Sequence, residues 1–502
     1  MTQTLIRNAR LLGHEGSWAL AIDAGAILWV GADERASAYS GTHEVIDAHG
    51  DLVAPAFVDA HVHLVQTGMA LGQLDLTSAR SWADLLALVA QHPGQDSSPV
   101  IAWGWDDARW PDADLIDAGA LAIATRGREA YLARVDGHSA LVTPGLLQVA
   151  RGAEGYRPSG RIERDAHHLV RARLDAETTN DHRRRAVRAG CEELAGRGVV
   201  GFHENAAPHI GSVEEIAIIR EVAGEVGLRP TIYWGETGAY ALAREHGLPG
   251  LAGDLNADGA LGSRTAALRT DYRDAPGERG HAYLSETEIA DHVTECTRRG
   301  LQAGFHCIGD LALDTVAAGL SLAAQRCGLE AIRAARHRLE HVEMPSDSVI
   351  AVLARLGVHA SVQPAFDAAW GGPTQMYADR VGERWRAMNP LRAMVEAGVS
   401  LAFGSDSPVT PIDPWGGVAA AMHHRNTDQR LDFQAAFAAH TLGGWRAGKD
   451  DASGRIAAGQ RADLARWEVS AYAEDGNPDL TEHHPRLRQC WSAGRTIWKE
   501  PA

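Results

Sequence analysis

The sequence predicts an α/β protein: a (βα)8 TIM-type barrel with a small β-sandwich built from both termini and an insertion after the first barrel strand. Three observations carry this. A helical segment, a glycine and a short apolar strand recur in that order through the middle and C-terminal part of the 502 residues. Most of these strands end in polar residues, as barrel strands do at the face that carries the active site. The two chain ends lack the repeat and alternate short apolar strands with turns.

The N-terminal strands are expected at residues 19–23 and 26–30, and the C-terminal ones at 454–457 and 496–498. Residues 1–54 with 450–502 are read as one composite β-sandwich, and 55–449 as the barrel. Residues 65–185 hold Trp, Pro, Gly and charge clusters without regular units. They read as an insertion over the C-terminal face of the barrel. Beyond it the repeat is 191–197, Gly198, 199–204; 219–226, Gly227, 228–234; 288–299, Gly300, 301–310; 349–356, Gly357, 358–364; and 391–397, Gly398, 399–406. Each glycine stands where a helix needs a left-handed residue to end it. Ser285 followed by Glu288 is a capping box for the 288–299 helix. Strand 399–403 is almost continuously apolar, as in a parallel sheet covered on both faces. No GxGxxG follows a strand, which argues against a dinucleotide-binding sheet.

Composition narrows the partners. A hydrophobic content of 45% supports a sizeable core. The formal charge of −17 argues against nucleic acid and anionic membrane surfaces as main partners. No apolar run approaches the ~20 residues of a membrane helix. Five cysteines, an odd number without a CxxC pair, read as free thiols in a reducing compartment. The first residues show no secretory leader. The expectation is a cytoplasmic protein with a small-molecule substrate, and a homodimer is compatible with it.

The chemistry starts at His61 and His63. One residue apart at the end of an apolar strand, they project to the same face. Neutral imidazoles there suit Zn²⁺ and its neighbours. Alone, the pair also fits a half-buried strand with two polar residues. Other strand ends add His306, His341 and the late Asp406. In a barrel all these ends meet at one rim, so the set reads as metal ligands plus a proton-transfer group.

The motifs Pro55-Ala56-Phe57-Val58-Asp59-Ala60-His61-Val62-His63, Asp258-Gly259-Ala260-Leu261-Gly262-Ser263-Arg264, His306-Cys307-Ile308-Gly309-Asp310, Glu340-His341, Gln363-Pro364 and Gly404-Ser405-Asp406-Ser407-Pro408 extend over nearly the whole chain. With them the chain resembles the amidohydrolase superfamily, in the branch of N-substituted formamide deformylase-like proteins (amidohydrolase 3). The resemblance implies that His61, His63 and His306 are metal ligands. It makes His341 a ligand or a carbonyl-polarising group, and Asp406 a ligand that shuttles protons. The cofactor is one or two divalent ions, with zinc the expected metal. The implied reaction is hydrolysis of a non-peptide C–N bond, an N-acyl or N-formyl amide, by metal-activated water. A cyclic-amidine deaminase is the first alternative and a non-catalytic scaffold the second.

One position departs from the branch. A lysine that becomes carboxylated and bridges two metals is common four residues before the Asp-Gly; this chain has Asp254. Aspartate is shorter, so it is not expected to reach both metals. Unless Glu204 fills the gap, one ion held by His61, His63, His306 and Asp406 is expected, with His341 free. For Glu204 a rim salt bridge is the preferred reading. Candidate substrate-binding residues are His138, Trp103, Asp258 and Arg264. Trp105 and Trp110 beside Trp103 read as core.

Overall fold

The apolar strands that follow the helix-ending glycines lie parallel. In the computed structural model, which describes residues 3–39, 41, 44–92 and 99–501, eight strands form the centre of the fold. They are β1 (Phe57–Val62), β2 (Val199–Ala206), β3 (Arg229–Trp234), β4 (Gly250–Leu251), β5 (Gln302–Cys307), β6 (Arg338–His341), β7 (His359–Val362) and β8 (Ser400–Phe403). Two parallel sheets result, in the orders β3-β2-β1 and β4-β5-β6-β7-β8. They join where Val62 bridges Ser407, with the Asp406 N–H donating to the His61 carbonyl at 2.7 Å and the His63 N–H to the Ser407 carbonyl at 3.0 Å. On the other side Gly235, after β3, packs on the backbone after β4; a Cβ there would lie 2.7 Å from the Asp254 carbonyl carbon.

Apart from the first residues of β3 and β8, every residue of these strands is buried. Helices cover them. The helix Asp347–Leu356 shows how one forms: Ser346 caps its start, Gly357 at φ +66° ends it, and Val349, Ile350, Leu353 and Leu356 line one buried face. Burying those four side chains contributes about 6–12 kcal/mol before the chain entropy that opposes it. Gly198, Gly227, Gly300 and Gly398 adopt the same left-handed conformation at the other helix ends. The Ser285–Glu288 capping box is present.

Strands from both chain ends share one sheet. Its order is Arg495–Lys499, Arg486–Ser492, Leu464–Glu468, Leu52–Pro55, Thr4–Leu11, Trp18–Asp23, Ala26–Ala32, with Glu44–Asp47 paired to Thr4–Leu11. Met1, Thr2 and Ala502, the extremes of the two end segments, lie outside the described residues. Residues 454–457 form no strand, because Gly454 at φ +87° interrupts the extended run.

The segment between β1 and β2 is not irregular, as its composition suggested. It holds a five-stranded sheet ordered Arg161–Glu163, Ser139–Val142, Ala130–Arg134, Val100–Trp105, Leu74–Asp75, packed with helices such as Trp82–Gln91 and Arg164–Asp175. Trp82, Leu85, Trp105, Trp110 and Leu132 make a core of its own. It reaches the parallel strands at their C-terminal ends. Trp103 Nε1 donates to the Pro408 carbonyl at 3.1 Å, and the His138 ring lies 5.2 Å from that of His306.

A buried guanidinium ties the two parallel sheets together from inside. Arg338 of β6 donates to both Glu340 oxygens at 2.6 and 2.9 Å, to the Ala60 carbonyl of β1 at 2.7 Å and to His203 Nδ1 of β2 at 2.7 Å. Its guanidinium lies 4.6 Å from the centre of the Tyr233 ring of β3. Removing one partner of a buried ion pair strands the other. Arg338→Met should therefore lower the unfolding free energy in urea by about 3–5 kcal/mol. A loss below about 1 kcal/mol, the range of an exposed pair, would show that the guanidinium does not hold the sheets.

Candidate metal centre

Six side chains meet at the C-terminal ends of the parallel strands. His61 comes from β1, His306 from β5 and His341 from β6; His63, Asp254 and Asp406 follow β1, β4 and β8. All six are buried. Asp406 Oδ1 lies 3.2 Å from His61 Nε2 and 3.1 Å from His63 Nε2. Asp254 Oδ2 lies 3.2 Å from His63 Nε2, and its Oδ1 is 3.5 Å from His61 Nε2, 3.8 Å from His306 Nδ1 and 4.0 Å from His341 Nε2. Two ligands of one tetrahedral zinc stand about 3.3 Å apart, so the shorter of these spacings are those of shared coordination. Among the described residues, His61–His63–Asp406 and His61–Asp254–His341 are groups able to hold a metal ion.

The atoms that face inward are the ones left without hydrogen bonds. His61 Nε2, His306 Nδ1, His341 Nε2, Asp254 Oδ1 and Asp406 Oδ1 are buried and have no hydrogen-bond partner. Such orphans are costly unless a ligand uses them. On His61, His306 and His341 the opposite ring nitrogen is engaged, whereas His63 Nδ1 has no partner among the described residues. His61 Nδ1 meets Glu340 Oε2 at 2.9 Å, His341 Nδ1 meets Gln363 Oε1 at 2.9 Å, and His306 Nε2 meets the Gly259 carbonyl at 3.3 Å. Each acceptor takes the ring N–H and leaves a lone pair on the inward nitrogen, the arrangement metal-ligating histidines use. The donor set, imidazole and carboxylate, suits a divalent first-row cation.

Electrostatics follow from this crowding. Burial raises the Asp406 and Asp254 carboxyls, but the facing histidines, His61 first, hold both far below the ordinary range. Burial lowers His63, but Asp254 and Asp406 outweigh it and push the ring up to about 9. His341, buried beside His306, is driven down to about 3 and stays neutral.

The backbone is bent to make this fit. His341 and Asp406 occupy left-handed conformations, φ +71° and +54°, which cost non-glycine residues about 1–2 kcal/mol each. At Gly404 a Cβ would lie 2.4 Å from the His61 nitrogen, so only glycine lets β8 pass β1 this closely. Although shorter than the lysine of the branch, Asp254 lies within 4.0 Å of all four histidines. β4 has two residues, Gly253 turns at φ +78°, and Gly235 presses on the Asp254 backbone, so the main chain itself carries the carboxylate inward. The chain has only two lysines, Lys449 and Lys499, both far along the sequence from this strand end. Lys449 donates to the Gly300 carbonyl.

Glu204 forms no rim salt bridge. It is buried and accepts the Leu64 N–H at 2.8 Å. That N–H opens the helix Leu64–Leu71 directly behind His63 and has no acceptor within the helix. Burial pushes the Glu204 carboxyl up to about 7.

A cavity opens in front of the cluster. His138 and Trp103 line it, as do Gln66, His168, Arg171 and His209, which the sequence did not single out. Asp258 and Arg264 do not. Asp258 accepts the N–H groups of Ala267, Ile308 and Gly309 at 2.8–2.9 Å and so fixes the chain beside His306. Arg264 is paired with Asp274 at 2.8 Å, away from the cavity. The supporting roles of Glu340 and Gln363 were also not foreseen, although both sit in recognised motifs.

Comparison with known proteins agrees with this geometry. YtcJ of Bacillus subtilis (strain 168) is 25% identical over 91% of this chain and 92% of its own. The N-substituted formamide deformylase of Arthrobacter pascens is 25% identical over a shorter stretch, 37% of this chain and 35% of its own. The crystal structure of an uncharacterized metal-dependent hydrolase from Pyrococcus horikoshii OT3 shares the fold, with a TM-score of 0.75 at 22% identity over 96% of this chain and all of that one. The amidohydrolase family model matches residues 44–497, which span β1–β8 and every histidine and aspartate of the cluster. The chain therefore belongs to the amidohydrolase family, hydrolases of carbon–nitrogen bonds.

Proposed function

We propose that this amidohydrolase cleaves a non-peptide C–N bond, an N-acyl or N-formyl amide, at a centre of two divalent ions, with zinc as the metal. The observation that carries the reading is the ring of inward, unpartnered nitrogen and oxygen atoms whose tautomers are set from behind. His61, His63 and Asp406 would hold one ion and His306 and His341 a second, with Asp254 within 4.0 Å of histidines from both sets. This count replaces the single ion expected from a short Asp254. The same reading takes the two parallel sheets as one (βα)8 barrel spanning 55–449, with the insertion at 65–185. It takes 1–54 and 450–502 as a composite β-sandwich. The five free thiols support a cytoplasmic setting.

A divalent ion here lowers the pKa of a coordinated water toward ~7 and polarises the substrate carbonyl. The protein's part is proton handling and orientation. Asp406, kept ionised by its histidine neighbours, accepts the proton from the attacking water and passes it to the leaving nitrogen. His341 donates Nδ1–H to Gln363, so its Nε2 carries a lone pair and cannot donate to a carbonyl oxygen. It acts as a ligand rather than as the carbonyl-polarising group. Glu204 holds the helix start behind His63, and Glu340 holds His61.

His61→Ala and His63→Ala should each lose bound metal, read by elemental analysis, while keeping the wild-type circular dichroism. Unchanged metal content in both would refute the ligand assignment. Protein purified without chelator should carry two ions per chain, and Asp254→Ala fewer; one ion in both would return the centre to a mononuclear one. Asp406→Asn should cut turnover by ~10² or more with metal retained, and activity within a few-fold of wild type would exclude it as the proton carrier. Metal-loaded protein screened on formamides, longer amides, carbamates, lactones and cyclic ureas should release a carboxylate and an amine. Ammonia as the sole nitrogen product would assign ring deamination instead.

A further inference from the structure

Two pockets of unlike lining border the cluster, and each is a lobe of the space in front of it. One is basic and polar. It is lined by Gln66, His168, Arg171 and His209, from three separate segments. The other is apolar, lined by Ile308, Phe366, Trp370, Met376 and Tyr377. His138, His306, His341 and Asp406 border both lobes, so a ligand extending from one to the other crosses the candidate ligands. In the apolar lobe Arg134 is matched by Asp106, Asp107 and Asp136.

Arg171 is the unmatched charge. It lies on the helix Arg164–Asp175, one turn beyond His167 and His168, so all three share a face. His167 is fixed by the Tyr131 hydroxyl at 2.7 Å. The guanidinium makes one hydrogen bond among the described residues, to the Ile210 carbonyl at 3.1 Å. That same carbonyl accepts Gln66 Nε2 at 3.0 Å, which sets the two side chains next to each other. No carboxylate forms an ion pair with Arg171 among the described residues, although the chain has 65 acidic residues against 48 Lys and Arg. In so acidic a protein, an unpaired arginine facing the catalytic cavity calls for an anion from outside. His168 and His209 beside it are kept neutral by burial, so they add N–H donors without adding charge. An arginine fork with neighbouring neutral donors matches the planar, bidentate shape of a carboxylate.

We propose that the substrate carries a carboxylate, received by Arg171 in the basic lobe, and an aryl or alkyl group, received in the apolar lobe, with the scissile amide between them. This rests on the amide-hydrolysis reading above and names the substrate class for that site. Hydrolysis adds water across the amide: the C–N bond breaks, the carbonyl carbon gains hydroxyl, and the nitrogen gains the proton. The distal carboxylate takes no part in the bond changes.

The test uses the metal-loaded protein and two probe pairs. N-Phenylacetylglycine and N-benzylsuccinamic acid place the carboxylate on the amine side and on the acyl side of the amide. Each is compared with its primary carboxamide, which has the same shape and no charge. Calorimetric binding gives the ratio of carboxamide Kd to acid Kd, and product analysis gives hydrolysis. For at least one pair the wild type should favour the acid by about tenfold or more, as expected for a charge-assisted bidentate contact. Arg171→Met should bring that ratio near one at unchanged metal content, and Arg171→Lys should restore part of it. A wild-type ratio near one, no binding of any probe, or a preference that survives Arg171→Met would each overturn the anion subsite; the last outcome would place the carboxylate on the metal. Tight, Arg171-dependent binding without cleavage of any probe would keep the subsite and count against amide hydrolysis. Equal cleavage of acids and carboxamides would do the reverse.

Discussion

The contact between Arg338 and Glu340 carries more of this structure than any other. Both side chains point inward from one strand, two residues apart, and both are sealed from water. A lone charge in that place would be prohibitive, and the pair is tolerable because every nitrogen of the guanidinium and both acceptor oxygens are engaged. The carboxylate does a second job through the oxygen it turns to His61 Nδ1. Metal-site geometry and fold are thus coupled. The guanidinium that joins β1, β2 and β6 also aims the imidazole around which the ligand cluster is built.

Much of the plan was legible because it obeys short-range rules. The helix-ending glycines are visible because left-handed backbone costs other residues dearly, and the strands because burial on both faces leaves them apolar throughout. His61 and His63 could be paired from a period of two alone. The insertion was opaque for the opposite reason: its strands are short, mixed in direction and joined by differing lengths, so no repeat announces them. Glu204 misled because a carboxylate at a strand end reads as a surface charge, whereas its partner is a backbone N–H brought close only by folding. The placement of Asp254 was hidden because it is set by the main chain after β4, where Gly253 turns, and not by side-chain length. Arg171 gave no signal at all, since nothing local distinguishes an arginine whose counter-charge is missing.

The left-handed backbone at His341 and Asp406 fits the same picture. His341 ends β6 and Asp406 follows β8, and both side chains face the cluster. Asp258 and Asp59 pay part of the cost. Asp258 gathers three backbone N–H groups beside His306, and Asp59 takes those of His61 and Ser405 at 3.2 and 2.9 Å. Rigid backbone of this kind holds catalytic groups in place before a ligand arrives.

The scarcity of lysine has a consequence for how the centre comes into being. A carbamate ligand is made after translation, from dissolved carbon dioxide, and is lost again when metal leaves. A chain whose only lysines are Lys449 and Lys499 cannot make one beside β4. Its carboxylate at that strand end, Asp254, is written in the codon and present as soon as the strands close. With Asp254 in the proposed ligand set, assembly of the centre would wait on metal alone, at a rate indifferent to bicarbonate, and a protein stripped of its ions would keep that set ready for their return.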